Sequence, residues 1–446
     1  MEKQNYHLIG ICGASMSGVA LWLKKMGHNV SGSDISSNEN INVLEQNGIH
    51  VQNNHEVNLI KNADVVVYSG AIINNKELAF ARKENKVVLT RAQMLQIISK
   101  HYNKTIAIAG AHGKTTTTAL IYSCLKYARK NPTLHLGGVL VGEQCGLVFG
   151  DNEYFVTEAC EYKDSFLSLS PYIGVILNIE KEHLDYFKSF NNIKKSFNKF
   201  ANNSKNCIVY DKAKIEKTSK IKTFGYKNAD FCVKNIKKIK NSGYKFDVYK
   251  QNQYYAKFEL SVPGKHNIFN ALAAIAVCEQ LGIEKIDIYN GLKNFKGVKR
   301  RFEYISQSII HDYAHHPTEL KTTLKLLDER YKGKNVAIVF QPHTYSRTKT
   351  LMNDFVEVLK KCDSLYIFKT YSAREKYDRN ASAKALYEEI KKDNSNVKYY
   401  ATEKAINNVL AKKIEQDYVV VFLGAGNIVR VAENLAKTVD NAHRMC

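Results

Sequence analysis

Along this chain, short apolar runs stop at glycine-rich turns and resume as apolar residues spaced for a helix, and the pattern occurs three times. Residues 7–11 form the first run; the turn Gly13-Ala-Ser-Met-Ser-Gly18 follows, and helical spacing continues through Lys25. A second strand over 29–32 ends at Ser33 and Asp34, and 65–68 reads as a further buried strand. The second occurrence is 105–109, the loop 110–116 and a helix to about Lys126, with strands expected at 154–157 and 173–177. Partial alternation over 233–260 predicts hairpins at the edge of this central region, and 267–281 has the spacing of a helix ended by Gly282. The third occurrence comprises 309–311, 335–340, 364–368 and 418–423, the last running into Gly424-Ala-Gly-Asn427 and a final helix. Strand, glycine turn and helix in succession signal parallel α/β structure, since parallel strands need a crossover between them.

A chain of 446 residues exceeds one ordinary core. The three α/β units divide it into domains over 1–102, 103–298 and 299–446. With 44% hydrophobic and 24% charged residues and five prolines, it reads as globular rather than disordered or fibrous. The nine cysteines are scattered, none closer than Cys145 and Cys160, which excludes a Cys-x-x-Cys metal site and suggests reduced thiols in a cytoplasmic protein. The apolar stretch over 8–23 is interrupted by Ser15, Ser17 and glycines, follows no cation beyond Lys3, and lacks a clean small-residue cleavage site. It is not read as a signal peptide, and no segment reaches the ~20 apolar residues of a membrane span, so no membrane insertion is expected.

The formal net charge of +22 raises nucleic acid as a partner. The basic residues, however, are mostly lysines spread from Lys3 to Lys437, densest over 194–250, with no aromatic interleaving on one element. A drift toward Lys and Asn accounts for them, and the expectation is no nucleic acid. The resulting field still favours small polyanionic substrates.

The loop Gly110-Ala111-His112-Gly113-Lys114-Thr115-Thr116 lies between a strand and a helix N-terminus, where unpaired N–H groups and the helix dipole both attract anions. Lys114 is placed to reach the β- and γ-phosphates of ATP, and the Thr115 hydroxyl stands at the Mg²⁺-coordinating position. The spacing is shorter than the general phosphate loop, because Ile108 replaces the usual first glycine. The earlier turn, Gly10-x-x-Gly13-x-Ser15-x-x-Gly18, carries Ser15 where a dinucleotide fingerprint has its middle glycine, so the residues alone leave both a nucleotide site and a structural turn open. Asp34 closes the second strand, where an acidic residue often meets a ribose.

Glu158, in Glu158-Ala-Cys-Glu-Tyr162, and His183, in Asn178-Ile-Glu-Lys-Glu-His183, are expected at the ends of neighbouring parallel strands, facing the crevice where the phosphate loop opens. They are candidate metal ligands, although a lone Glu or His is more often a surface group. Further candidates are His266 and Asn270 at a helix start, Arg301, Asp312, His315 with His316, and His343 with Arg347. Adjacent histidines before Pro317 do not easily share one ion and no third ligand is spaced nearby, which favours substrate contact over zinc.

Taken together, GICGASMSG, SGSD, GAHGKTTTT, EACEYKDSF, NIEKEH, HNIFNA, GVKRRFE, HDYAHHPTE, FQPHTYSRT and GAGN resemble the Mur ligase family over nearly the whole chain and in the family's order. HDYAHHPTE and FQPHTYSRT are similar to its UDP-N-acetylmuramate:L-alanine ligase branch. The resemblance implies a Rossmann-like UDP-sugar domain, a central P-loop ATPase domain with a parallel sheet, and a C-terminal Rossmann-like domain on the amino-acid side. It implies ATP-dependent joining of L-alanine to the lactyl carboxylate of UDP-N-acetylmuramate through an acyl phosphate, with ATP and Mg²⁺ as cofactors, in peptidoglycan synthesis, by a monomer or homodimer.

By the same resemblance Glu158 binds one Mg²⁺ and His183 a second, and His266 and Asn270 lie near adenine. Arg301 lies on the phosphate side and Asp312 at the ATP ribose. His343 and Arg347 face the acyl phosphate and the amino acid, with His315 near them, and Gly13, Ser15 and Ser17 meet the UDP diphosphate. Many members have glycine at Cys12 and Ser15, threonine at Ala111 and arginine at Thr344. A recycling ligase that adds a preformed tripeptide, and a non-catalytic nucleotide-binding relative, are the rival readings.

Overall fold

The structure is a computed structural model that describes residues 2–445 apart from 36–37, 240–242 and 374, with backbone alone at 184–185 and 441–445. Its strands form three sheets, and the chain separates into two compact units, Met1–Val298 and Lys299–Cys446.

The first sheet holds β1 (Asn5–Ile9), β2 (Asn29–Ser33), β3 (His50–Gln52), β4 (Val65–Tyr68) and β5 (Val87–Thr90). Their order is β3-β2-β1-β4-β5, all parallel. The second sheet holds β6 (Lys104–Ala109), β7 (Thr133–His135), β8 (Leu147–Val148), β9 (Tyr154–Glu158), β10 (Ile173–Ile176), β11 (Asn206–Tyr210), β12 (Ile221–Gly225), β13 (Phe231–Lys238), β14 (Tyr244–Lys250) and β15 (Gln253–Leu260). They run β15-β14-β13-β12-β11-β10-β6-β9-β7-β8, parallel from β13 to β7 and closed at both edges by antiparallel hairpin partners. The alternating stretch over 233–260 is therefore the edge hairpin pair the sequence predicts. In the second unit, β16 (Glu303–Tyr304), β17 (Ile309–Asp312), β18 (Val336–Phe340), β19 (Leu365–Phe368), β20 (Val397–Tyr400) and β21 (Val419–Leu423) are ordered β16-β17-β21-β18-β19-β20. All are parallel except β16.

Central strands such as β6 and β21 are buried along nearly their whole length, as parallel strands covered by helices on both faces must be. One apolar core joins the first two sheets: Leu8, Trp22 and Met94 pack with Ala107, Phe155 and Phe200. Trp22 donates its indole N–H to the Tyr102 hydroxyl at 3.0 Å, and the Tyr102 ring stacks on Phe155 at 4.9 Å. No helix among the described residues is long and apolar enough to cross a membrane, and the cysteines among them are free thiols.

A buried polar cluster knits the first sheet. The Glu77 carboxylate, fully enclosed, contacts His7 Nε2 at 2.9 Å and His55 Nδ1 at 2.8 Å, and accepts from Gln52 Nε2 at 3.0 Å and from the Ser33 hydroxyl. Burial alone would raise its pKa, but the bonds from His7, Ser33 and His55 outweigh that and hold it below the ordinary 4.5. A carboxylate with a lowered folded pKa contributes stability that is present above its unfolded pKa and is lost as pH falls through the folded one. Glu77→Ala is therefore expected to lower the melting temperature by several degrees at pH 7, consistent with roughly 3 kcal/mol for opening a buried ionic cluster. The gap between variant and parent should close below pH 4.5; melts followed by circular dichroism across that range measure it.

Candidate active site

β6 ends at Ala109, and the chain turns through Gly110–Gly113 into the helix Lys114–Tyr127. Gly113 is the helix N-cap at φ +87°, and no side chain caps the first-turn N–H groups. A Cβ there would be strained by that φ and would stand 2.5 Å from Asn270 Oδ1, so only glycine lets the loop pass under the helix His266–Gln280. Asn178, just beyond β10, clamps the loop from the other side: its Oδ1 accepts from His112 N at 2.8 Å and its Nδ2 donates to His112 O at 2.9 Å. Thr115 and Thr116 follow in the first helical turn, partly exposed.

Lys114 folds back over its own loop. Its ammonium donates to the carbonyls of Gly110 and Ala111 and to both oxygens of Glu161, at 3.2 and 3.1 Å. Burial works against the charged ammonium, but Glu161, with Cys160 and Glu158 near, outweighs it and holds the pKa above its ordinary value. Lys114 is thus a fixed cation beside uncapped helix N–H groups.

Glu161 is also where the carboxylates gather. One ligand atom each from Glu161, Glu182 and His183 lies within 4.8 Å of the others. His183, at φ +54°, has Nε2 3.9 Å from Glu161 Oε1 and its ring 4.7 Å from that of Tyr162. His112 Nε2 stands 3.3 Å from Glu180 and 3.8 Å from Glu182. Glu158 closes β9, and its Oε1 accepts from Gly137 N at 2.8 Å. The expectation that Glu158 and His183 end neighbouring strands is corrected: β6 lies between β9 and β10, so the two residues flank the phosphate loop. His183 gathers with Glu161 and Glu182, which lie in EACEY and NIEKEH with no local signal that marks them as ligands.

At the first glycine turn, Gly13 is the N-cap of the helix Ala14–Lys25, and Gly13 and Ala14 are exposed. Ser15 Oγ accepts from Arg91 Nη1 at 3.0 Å. Ser17 is buried: its hydroxyl donates to Ala14 O at 3.0 Å and its N–H to Gly13 O at 2.9 Å. Both of its donors serve the helix, which removes it from the open face expected of it. Asp34, also buried, accepts from Cys12 N at 3.0 Å and so braces the turn.

The second unit carries its own group. His343 Nδ1 lies 3.1 Å from Arg347 Nη1, its ring stacks on Tyr371 at 5.4 Å, and His315 approaches it edge-on at 5.8 Å. Burial, reinforced for His343 by Arg347, pushes both imidazoles down to about 4, so both are neutral at pH 7. His316 points elsewhere and caps the helix Pro317–Arg330. The Asp312 carboxylate accepts from the N–H groups of Phe302 (2.8 Å) and Ala314 (2.9 Å) and from the Thr323 hydroxyl (3.2 Å), pinning the segment that carries Arg301. The Arg301 guanidinium lies over the Tyr313 ring at 5.0 Å. Glu375, unmarked by any sequence motif, binds the N–H and hydroxyl of Ser346 and so fixes the turn between His343 and Arg347.

Three family models match in succession: the Mur ligase family catalytic domain over residues 5–103, the Mur ligase middle domain over 108–278, and the Mur ligase glutamate ligase domain over 300–426. The UDP-N-acetylmuramate–L-alanine ligases of Caldanaerobacter subterraneus subsp. tengcongensis and Clostridium acetobutylicum are each 40% identical to this chain, over 97% of either sequence. The crystal structure of the UDP-N-acetylmuramate–alanine ligase MurC of Thermotoga maritima superposes with a TM-score of 0.86 at 27% identity, covering 98% of this chain and all of that one. With three matched models in order, near-complete coverage by these relatives, and a phosphate loop whose helix N-terminus carries no side-chain cap, the chain belongs to the Mur ligase family.

Proposed function

We propose that this chain is an ATP-dependent ligase that joins L-alanine to the lactyl carboxylate of UDP-N-acetylmuramate, giving UDP-N-acetylmuramoyl-L-alanine, ADP and phosphate. The observation that carries it is Lys114, held beside uncapped helix N–H groups and the Glu161–Glu182–His183 cluster, in a chain matched end to end by ligases of that name. In this reading residues 1–102 take the UDP-sugar, 103–298 take ATP, and 299–446 serve the amino acid. The enzyme works in the cytoplasm as a monomer or homodimer.

A carboxylate is a poor acyl donor, so it is first activated. The γ-phosphoryl of ATP passes to the lactyl carboxylate, leaving ADP and an acyl phosphate. The amine of alanine attacks the acyl carbon and loses its proton, and the tetrahedral intermediate expels phosphate as the amide forms. Such chemistry depends on positioning and on offsetting negative charge rather than on a protein nucleophile. Lys114 and the N–H groups of Gly110–Thr116 offset charge on the transferring phosphoryl. Asn270, whose Oδ1 lies by Gly113, and His266 on the same helix are assigned to the adenine side, and Asp312 and Arg301 are assigned by likeness to the family to the ribose and the phosphates. Arg347 is the cation on the acyl-phosphate side, and His343 and His315, being neutral, orient without adding charge.

The donor set of Glu161, Glu182 and His183, within 4.8 Å, fits a divalent cation. Mg²⁺ is commonly held by one or two carboxylates together with substrate phosphates. These residues would hold one ion, and Glu158 with the Thr115 hydroxyl would hold a second. Bound there, the ions supply charge neutralisation to the phosphates.

ADP and phosphate are expected only when UDP-N-acetylmuramate, Mg²⁺ and L-alanine are all present, in a coupled release assay with a panel of amino acids and peptides. Release with a tripeptide but not with alanine would make the chain a recycling ligase instead, and no release with any acceptor would make it a non-catalytic relative.

A further inference from the structure

His135, the last residue of β7, is 3% exposed, and it joins the two sheets of the first unit. Its Nε2 lies 3.1 Å from Ser15 O and 3.1 Å from Ser15 Oγ, and its Nδ1 lies 3.0 Å from the hydroxyl of Thr157. A carbonyl oxygen only accepts, so Nε2 carries the hydrogen and donates to Ser15. Burial, with Arg91 adding to it, pushes the ring down to about 4, so it is neutral at pH 7 and Nδ1 accepts from Thr157.

The same ring meets the glycine turn a second time. A Cβ at Gly18 would come within 3.0 Å of His135 Cδ2 and 3.4 Å of Nε2, so the helix Ala14–Lys25 rests on the imidazole only because residue 18 is glycine. Ser15 Oγ in turn receives Arg91 Nη1 at 3.0 Å. One side chain of the central sheet thus sets the height of Ser15 and Gly18, and through Ser15 the place of the Arg91 guanidinium. On its far side it touches Thr157, the residue before Glu158 on β9.

We infer that His135 is a positioning residue for the sugar nucleotide. It seats the turn Gly13–Gly18 on the central sheet, so that the exposed Gly13 and Ala14 backbone, Ser15 and Arg91 meet the diphosphate in fixed register with the strand that ends in Glu158. The serine that replaces the middle glycine of the fingerprint is then a functional substitution, because it supplies the hydroxyl that links His135 to Arg91. This inference rests on the reading that the turn takes the UDP-sugar.

The test separates the hydrogen bonds from the bulk of the ring. His135→Leu keeps the volume and removes both bonds, whereas His135→Gln keeps an N–H able to reach Ser15. With UDP-N-acetylmuramate as the titrant, calorimetry is expected to show roughly 10-fold or greater weakening for His135→Leu, the order for lost buried hydrogen bonds. His135→Gln should recover most of it, and the KM for ATP should change by less than about 2-fold in both, because the backbone ladders to β6 and β7 hold Thr157, and with it Glu158, without the side-chain bond. Ser15→Ala, which opens the link to Arg91 without touching the core, should weaken the same titration and add little on top of His135→Leu. Equal affinities for all variants, or equal losses for Leu and Gln, or a KM for ATP that moves in parallel, would overturn the inference. A parent chain that binds the sugar nucleotide but makes no product would sink the ligase reading alone.

Discussion

Lys114→Ala is expected to cut ATP turnover by about 10³ while the protein stays folded. The Lys114 ammonium contacts the phosphate loop's own carbonyls, and Glu161 holds it there at 3.1 Å. When phosphates enter, the ammonium has a stronger anion to move toward, and its charge then falls on the group that transfers. Removing a single well-placed stabilising group of this kind typically costs 10²–10³ in rate; Lys114 serves both ground state and transition state, so a loss of about 10³ in kcat/KM is expected.

Stability should respond far less. Lys114 belongs to no apolar core cluster, and Glu161 has a second neighbour in His183, whose Nε2 lies 3.9 Å away. A shift of only a few degrees in the melting temperature is expected. ADP release followed alongside thermal melts checks both halves; undiminished product formation would show that this loop does not drive the reaction. Lys114→Arg should also fail to restore the rate, since a planar guanidinium does not fit a site built for a compact point charge.

The parts of the fold legible in the sequence were those where local pattern and tertiary placement agree. The strand at 65–68 is buried on both faces, reads as an unbroken apolar run, and is β4 to the residue. β7, three residues long and directly after Pro132, and β8, two residues long, carry no period of their own; they exist because β9 and each other offer ladder partners. His135 was illegible for that reason, since a single histidine in so short a strand looks like any satisfied core residue.

The site divides in the same way. The loop at 110–116 announces itself through glycine spacing, which encodes a backbone path. Ser17 shows where such reasoning overreaches. The resemblance places this residue at the turn, but helical rotation turns it inward, and its hydroxyl is spent on Ala14 O. Asp312 is similar: the carboxylate is where the motif puts it, yet three internal donors occupy it, so any ribose contact would share oxygens already bonded. Glu161 lies in EACEY, three residues after Glu158, and nothing local distinguishes the two. The difference arises from the turn that follows, where Lys163 and Asp164 take positive φ and the chain folds Glu161 back toward a lysine 47 positions earlier.

That difference gives the second large expectation. Glu161→Gln keeps the shape of the side chain and removes its charge from both Lys114 and the cluster with Glu182 and His183. If the cluster holds Mg²⁺, two losses follow together. The Mg²⁺ concentration for half-maximal rate should rise at least about 10-fold, because a hard cation loses an anionic oxygen, and kcat should fall by about 10² as phosphate charge is no longer offset. Mn²⁺ binding without nucleotide, read by electron paramagnetic resonance, should weaken in step, which separates metal loss from a misplaced Lys114. Glu158→Gln is the needed contrast, because Glu158 already gives one oxygen to Gly137 N at 2.8 Å and stands outside the cluster. Should Glu158→Gln abolish Mn²⁺ binding while Glu161→Gln leaves it intact, Glu161 is only the counter-ion that parks Lys114 between turnovers, and the metal belongs to the end of β9 alone.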